Sequence, residues 1–377
     1  KKTFPLPFAR MWRAIALVWV CCLITFQARA LNTHYKDTRD RQCRRNGKLD
    51  FPTSAQLRSG RYVGMPVLDE NGTCAIGNVR GEVRDCPPLP RNIIFSTYFT
   101  IDRSWGRAPQ QDDPRFFTMW ARSIAKLGLV GCILHDYLDP DFVKNYTSPN
   151  LLFRTVTGHP TYSPNDRRFF LLRDILRKEH HLNWVMLTDL RDVIVNRNPF
   201  EFAEFQMQRN PVPSKNLDVI KAVEWEGGEA VGGRGNRVID LPLVFVSFGD
   251  HHALRTFQHS ACPEVDPFFE KRIREVVLRE REPTLLAAIW FANRKTLSLV
   301  MERMCDIFEK LDPCRNCNTP LSNFLLYTMY QEQSIYLVGG APYNTHRTKN
   351  MPNLVVYHMA APDNGPYSDW TNPSGSM

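Results

Sequence analysis

The sequence predicts an α/β fold with a mixed, mainly parallel sheet flanked by helices. Three neighbouring segments carry this prediction. Asn92–Phe99 is an apolar run typical of a buried strand, and Pro114–Leu127 places its large apolar residues on one helical face. Leu129–Leu134 is a second short apolar run. A strand, a helix and a strand in succession indicate a right-handed crossover between two parallel strands.

A second helix–strand unit follows. Ser163-Pro164-Asn165-Asp166 has the signals of a helix start: Ser as N-cap, Pro at the first position and an acid in the first turn. We expect this helix to end near His180. Asn183–Thr188 is then a short apolar strand that runs directly into Asp189-Leu190-Arg191-Asp192. Two carboxylates are thereby predicted at the carboxyl end of a strand, where open α/β sheets bind their ligands. The alternative is a solvated turn or a helix cap.

Later segments are predicted to complete the same domain. We predict strands over Leu217–Val223, Leu241–Phe248, Ser334–Val338 and Asn353–Tyr357, and helices over Thr284–Lys310 and Pro320–Tyr330. The glycines between 227 and 235 fit neither the Rossmann nor the Walker spacing, so they indicate a surface loop or a turn.

The first thirty residues have the composition of a secretory leader. They contain five basic residues and no acid, and they include the apolar run Ala14–Phe26. This run is short for a membrane span and suits a signal peptide, with Ala28-Arg29-Ala30 as the cleavage pattern. An uncleaved membrane anchor through residues 14–26 is the alternative. Either way we expect a secretory-pathway protein, located in the Golgi or ER lumen or secreted.

Cysteine usage agrees with an oxidising compartment. Ten cysteines, less Cys21 and Cys22 in the apolar run, leave an even number that can form four disulfides. Cys314 and Cys317 have zinc-type spacing, but no second pair stands nearby to complete a site. Residues 31–90 are polar and contain three cysteines, Cys43, Cys74 and Cys86, so we interpret them as a stem or a disulfide-tied lead-in. The triplets that begin at Asn71 and Asn145 are glycosylation acceptors in such a compartment.

The net charge argues against nucleic acid as the partner. The formal charge of +9 falls to +4 when the five cations of residues 1–30 are removed. Basic residues between Arg167 and Lys178 alternate with apolar ones and do not form a basic stripe. A small anionic ligand, such as a nucleoside diphosphate, fits this charge better.

The segment around the two aspartates resembles a known motif. NWVMLTDLRDVIVNRNPFEF is similar to the acid-motif strand of the glycosyltransferase A fold, in which an apolar strand leads to an Asp-x-Asp motif and then to Asn-Pro with Phe. This chain has Asp-x-x-Asp at that place. The resemblance implies a glycosyltransferase A-like fold over residues 91–362. Residues 363–377 are polar and are predicted to form a loose tail. It also implies Mn²⁺ or Mg²⁺, which carboxylates bind well.

The resemblance assigns roles to residues of this chain. Asp192 is expected to bind the metal and to be catalytic, while Asp189 binds metal or the donor ribose. Arg191 between them pairs with an acid or with the donor. Arg167 and Arg168 are expected at the donor diphosphate, and a structural salt bridge to Asp166 or a nearby acid is the open alternative for Arg168.

Two residues further along the chain complete the expected site. His358 follows a late strand that resembles the one from which related enzymes donate a histidine to the metal; a purely structural histidine is the alternative. Asp250 is expected to be a base or an acceptor contact, with helix capping as the alternative role.

These residues imply a metal-dependent transferase that moves a sugar from a nucleotide-sugar, with uridine diphosphate as the expected carrier, to a glycan or glycoprotein acceptor. The Asn-x-Gly signature usual near Asp250 in this family is missing. A catalytically silent relative that binds a glycan or a partner, and a secreted metal-dependent hydrolase, therefore remain alternatives.

Overall fold

The structure of the protein is a computed structural model. It describes residues 66–68, 74–77, 83–86, 88–100, 112–157, 159, 162–209, 220–221, 242–252, 283–310, 318–332, 334–339 and 356–358. The chain divides into two units, residues 1–49 and 50–377, and every described residue lies in the second. The leader, the glycine-containing loop, Cys314, Cys317 and the tail lie outside the described residues.

The described part of the chain contains thirteen strands. They are β1 (Pro66–Leu68), β2 (Cys74–Gly77), β3 (Val83–Asp85), β4 (Asn92–Tyr98), β5 (Gly131–His135), β6 (Leu151–Val156), β7 (Trp184–Thr188), β8 (Val193–Val195), β9 (Ile220–Lys221), β10 (Leu243–His252), β11 (Pro283–Asn293), β12 (Tyr336–Gly339) and β13 (Val356–His358).

Eleven of these strands form one sheet, in the order β3-β2-β1-β6-β5-β4-β7-β11-β10-β12-β9. Strands β6, β5, β4 and β7 are mutually parallel. Strand β11 runs antiparallel to both β7 and β10, so β10 points the same way as β7. Strands β8 and β13 form a separate antiparallel pair. The prediction of a mixed, mainly parallel sheet is thus confirmed.

Helices cover both faces of this sheet. They are α1 (Thr118–Lys126, preceded by a 3₁₀ turn over Pro114–Phe116), α2 (Pro140–Tyr146), α3 (Pro164–Lys178), α4 (Pro199–Arg209), α5 (Arg294–Phe308) and α6 (Asn318–Gln331). Alternate residues of β4 enter different cores: Ile93 and Phe95 pack with α3, α5 and α6, whereas Ile94 and Tyr98 pack with α1, α2 and α4. The period of two along a strand produces this division.

The predicted helix over Thr284–Lys310 is wrong in its first half. Pro283–Asn293 is the strand β11, and the helix begins only at Arg294. The stretch is rich in Leu and Ala, which favour helix, but it lies between β7 and β10, where its backbone groups join the ladders on both sides. Asn293 caps the following helix by accepting a hydrogen bond from the Thr296 amide at 2.8 Å.

Cysteine pairing differs in part from the expectation. Cys74 and Cys86 form a disulfide within the predicted lead-in. Cys132 and Cys305 are buried free thiols, so the expectation of four disulfides does not hold for them. Both lie in the apolar core between the sheet and helices α3, α5 and α6. No helix among the described residues is long and apolar enough to cross a membrane.

Candidate functional site

The Asp189–Asp192 loop lies at the switch point of the sheet. Strands β4, β5 and β6 follow one another in the sheet in one direction, and β7 then lies on the opposite side of β4. In open α/β sheets, ligands bind in the crevice where the strand order reverses, outside the carboxyl ends of the strands. Asp189 directly follows β7 and therefore stands at this crevice.

The first two residues of the loop are anchored, and the last two are more open to solvent. The Asp189 amide donates a hydrogen bond to the Ala288 carbonyl in β11 at 2.9 Å. Leu190 is 4% exposed and packs in the apolar core on the α1 side of the sheet. Arg191 is exposed and Asp192 is half-buried. The loop thus presents polar side chains to solvent from an anchored backbone.

Arg168 and Asp189, two of the predicted site residues, form an ion pair. Nη1 of Arg168 contacts Oδ1 of Asp189, and Nη2 donates to the Ala287 carbonyl at 2.8 Å. The Arg168 side chain is 4% exposed, whereas that of Asp189 is 34% exposed. A buried cation requires a counter-charge. Asp189, and not Asp166, provides it here.

The surroundings of Arg168 fix its guanidinium in place. Arg168 lies near the amino end of α3, where the Ser163 hydroxyl accepts a hydrogen bond from the Asp166 amide at 3.2 Å. Its guanidinium carbon lies 5.1 Å from the centre of the Phe169 ring. Nε of Arg168 is buried and has no hydrogen-bond partner among the described residues. The guanidinium therefore retains a donor beyond the two that bind Asp189 and Ala287.

Arg167 contacts a different part of the same edge. Its Nη2 donates to the carbonyl of Val156, the last residue of β6, at 3.3 Å. Its guanidinium carbon lies 4.6 Å from the centre of the Phe99 ring, directly after β4. Arg167 is 4% exposed. The two arginines predicted at a diphosphate thus lie at the carboxyl ends of neighbouring strands, one beside β4 and β6 and the other beside β7.

Arg191 faces a segment that precedes α1. A hydrogen bond from Arg115 holds the pKa of Asp113 below its usual value, and the charge of Arg191 lowers this pKa further. Arg191 is therefore within electrostatic range of Asp113. Asp113 also caps the 3₁₀ turn before α1 by accepting a hydrogen bond from the Arg115 amide at 3.0 Å.

The backbone brings His358 and Asp250 to the same region. His358 pairs with Val193, the residue that follows Asp192, in the small sheet of β8 and β13. Asp250 lies in the last part of β10, which runs parallel to β7, so it also lies towards the carboxyl edge. The side chains of both residues lie outside the described part of the structure, and their predicted roles stay predictions.

The sequence analysis missed Thr100 and Asp136 at this edge. The Thr100 amide, two residues after β4, donates to Oδ1 of Asp136 at 2.8 Å, and Asp136 directly follows β5. The Thr100 hydroxyl donates to the Tyr137 carbonyl at 2.8 Å. Both residues follow runs that were predicted as strands. Applying the strand-end rule to every predicted strand would have identified them.

The carboxylates of the loop fit a metal that also takes ligands from a substrate. Within the described ranges, no three His, Cys, Asp or Glu residues lie together as a metal site. Mg²⁺ commonly takes only one or two carboxylates and completes its shell with water and substrate phosphates. Asp189 and Asp192 are therefore the candidate carboxylate ligands of this loop.

Comparison with known proteins adds no relative to this picture. No protein-family model matches the chain, and no curated protein matches it. The structure itself supports an α/β protein with a polar site at the switch point of its sheet.

Proposed function

We propose that this protein is a metal-dependent glycosyltransferase that uses a nucleotide-sugar donor. The observation that carries the proposal is the position of the Asp189–Asp192 loop, which lies in the crevice between the carboxyl ends of β4 and β7. The sequence of this loop and its flanks resembles the acid motif of glycosyltransferase A enzymes. The proposed donor is a uridine diphosphate sugar, and the proposed acceptor is a glycan or glycoprotein in the secretory pathway.

The charges at the crevice suit a diphosphate. In a transfer from a nucleotide-sugar, negative charge develops on the departing diphosphate, and fixed cations at that place lower the barrier. Arg168 and Arg167 are buried cations near the amino end of α3, where backbone amides also favour anions. Arg191 adds an exposed cation from the loop. The crevice thus holds these arginines beside the carboxylates of Asp189 and Asp192, which suits a diphosphate that binds together with a divalent cation.

The two carboxylates of the loop have different proposed roles. Arg168 contacts Oδ1 of Asp189, and the resemblance to the acid motif assigns the donor ribose to this carboxylate. Asp192 would hold the divalent cation, with His358 as a second ligand from the neighbouring strand. The cation supplies Lewis-acid stabilisation of the diphosphate when it is bound.

Calorimetric titration tests the proposal. The full chain is titrated with uridine and guanosine diphosphates, with and without Mn²⁺, and the titration is repeated on Asp192→Ala. The matched control is Asp306→Ala, which removes an exposed aspartate from α5. We expect uridine diphosphate to bind only with Mn²⁺, and Asp192→Ala to weaken that binding at least about tenfold while Asp306→Ala leaves it unchanged.

The outcomes separate the proposed function from its alternatives. Absence of binding by any nucleotide under any metal would overturn the donor site. Metal-dependent binding without sugar transfer to any acceptor, but with release of free sugar, would indicate the hydrolase. Binding of a glycan with no nucleotide binding would indicate the catalytically silent relative.

A further inference from the structure

Helix α1 contacts the carboxylate loop on both of its sides. Trp120 of α1 donates its indole N–H to the hydroxyl of Thr188, the residue before Asp189, at 2.8 Å. One turn further along α1, the Ser123 hydroxyl accepts a hydrogen bond from the Val195 amide, three residues after Asp192, at 3.1 Å. One rigid element thus holds the segment immediately before the loop and the strand immediately after it.

Both hydrogen bonds are buried, and the residues that form them make further hydrogen bonds. Trp120 is 0% exposed, Thr188 1% and Ser123 8%. The Ser123 hydroxyl donates to the Trp120 carbonyl at 2.7 Å while it accepts from Val195. The Thr188 carbonyl accepts a further bond from the Ser96 hydroxyl in β4 at 2.8 Å. A buried donor that loses its acceptor costs more than the bond itself contributes, so each contact restrains the backbone strongly.

The loop itself extends these restraints to its centre. Leu190 is buried in the same apolar core that contains Trp120. The four-residue loop is therefore fixed before Asp189, at Leu190 and after Asp192. Two carboxylates that share one ligand must be held at a defined separation, because misplacement by about 1 Å can remove most of their effect.

We propose that Trp120 and Ser123 are positioning residues, which act through Thr188 and Val195 to set the separation of the Asp189 and Asp192 carboxylates. The positioning proposal rests on the proposed function in one respect: it takes the ligand of the carboxylates to be a divalent cation with a nucleoside diphosphate. The positioning itself is a property of the protein without ligand. It can therefore be measured separately.

Ser322 provides a matched control for Ser123. It is also a buried helical serine, and its hydroxyl donates to the Asn318 carbonyl of its own helix at 2.6 Å, as Ser123 donates to Trp120. It makes no contact with the carboxylate loop that the structure records. Ser123→Ala and Ser322→Ala thus remove the same atom from similar surroundings, and only the first removes a restraint on the loop.

The test is amide hydrogen exchange over residues 188–195 in the full chain without ligand, followed by titration with uridine diphosphate and Mn²⁺. We expect Ser123→Ala to accelerate exchange in this segment about tenfold and to weaken nucleotide binding about three- to tenfold. Ser322→Ala should change neither, even if it lowers the melting temperature equally. Trp120→Phe, which keeps a six-membered aromatic ring and removes the five-membered part of the indole with its donor, should act in the same direction as Ser123→Ala.

Equal exchange over residues 188–195 in the Ser123 and Ser322 variants would overturn the positioning role. Faster exchange with unchanged nucleotide affinity would also overturn it, because the loop would then move without consequence for the ligand. If the unmodified chain binds no nucleotide with any metal, the proposed function fails. The exchange result alone then decides whether α1 restrains the loop.

Discussion

The guanidinium of Arg168 contacts the carboxylate of Asp189 and so joins α3 to the end of β7. The two side chains are unequally buried, at 4% and 34% exposure. Asp189 is partly exposed and can be solvated without Arg168, whereas the almost fully buried Arg168 would lose its counter-charge without Asp189. The pair therefore predicts an asymmetry between the two single substitutions.

We expect Asp189→Asn to lower the free energy of unfolding by about 2–4 kcal/mol, because it leaves a buried cation without its counter-charge. Arg168→Met should cost less. The double variant Arg168→Met with Asp189→Leu should recover much of the lost stability, since an apolar pair of similar volume avoids the desolvation of both charges. Urea unfolding measures all three. A double variant less stable than Asp189→Asn would contradict this account.

The burial of His135 is expected to make the stability of the protein depend on pH. It is fully buried at the end of β5, and burial lowers its pKa from 6.5 to about 3. Between these values the unfolded chain binds a proton that the folded chain does not. Stability is therefore retained above pH 6.5 and falls as the pH is lowered towards 3, by up to about 1.4 kcal/mol per pH unit from this residue.

We expect His135→Leu to be less sensitive to acid than the unmodified chain, with the two stabilities converging by about 2 kcal/mol between pH 7 and pH 5. Carboxylates elsewhere in the chain also make stability depend on pH, so the measured quantity is the difference in unfolding free energy between the two proteins. His180→Leu, at an exposed position, is measured beside it as the control for replacing a histidine by leucine. Parallel profiles for His135→Leu and the unmodified chain would contradict the prediction.

Gly131 predicts a steric limit beside Trp120. A Cβ at position 131 would lie 2.6 Å from Cη2 and 2.9 Å from Cζ3 of the buried indole. We expect Gly131→Ala to lower the free energy of unfolding by about 1–3 kcal/mol by overpacking this core. Because the indole also holds Thr188, exchange at residues 188–195 should rise in the same variant.

Gly128→Asn is the matched comparison for Gly131→Ala. Gly128 has a left-handed φ of 66° and open space around its Cβ position, and Asn tolerates this conformation. We expect a cost of about 1 kcal/mol, at the low end for a residue other than glycine in this conformation, and no change in loop exchange. Denaturant unfolding and hydrogen exchange, measured on both variants, check the two expectations together.

Ser163 predicts a link between helix capping and the site. Its hydroxyl accepts from the Asp166 amide at the start of α3, the helix that carries Arg168. We expect Ser163→Ala to cost about 1 kcal/mol and to weaken binding of uridine diphosphate with Mn²⁺. Ser163→Thr should restore most of both, since threonine is also an N-cap residue. Equal behaviour of the two variants would argue against a role for the cap.

Local signals in the sequence predicted the region around the carboxylates well. The helix start at Ser163 and the strand before Asp189 both depend on neighbours in the chain, and the structure places them within a residue or two of the predicted bounds. The partner of Arg168 was left open, because Asp189 lies 21 residues away and meets it only through the packing of α3 on the sheet.

Strand β11 shows where local signals fail. Its Leu- and Ala-rich sequence favours a helix, and only the neighbouring strands β7 and β10 make it extended. The contact between Trp120 and Thr188 was also beyond sequence analysis. The indole of a core helix indicates burial, but not which hydroxyl, 68 residues away, accepts its hydrogen bond.

Strand β1 covers the carboxyl half of β6 and so protects this part of the sheet from pairing with another molecule. It pairs in parallel with the carboxyl half of β6 through Val67 and Leu68, and the Thr157 amide adds a hydrogen bond to the Leu68 carbonyl at 3.1 Å. A chain cut at the predicted boundary of residue 91 would lose this cover. The backbone groups at the end of β6 would then be open to another molecule, and edge-to-edge association would compete with folding.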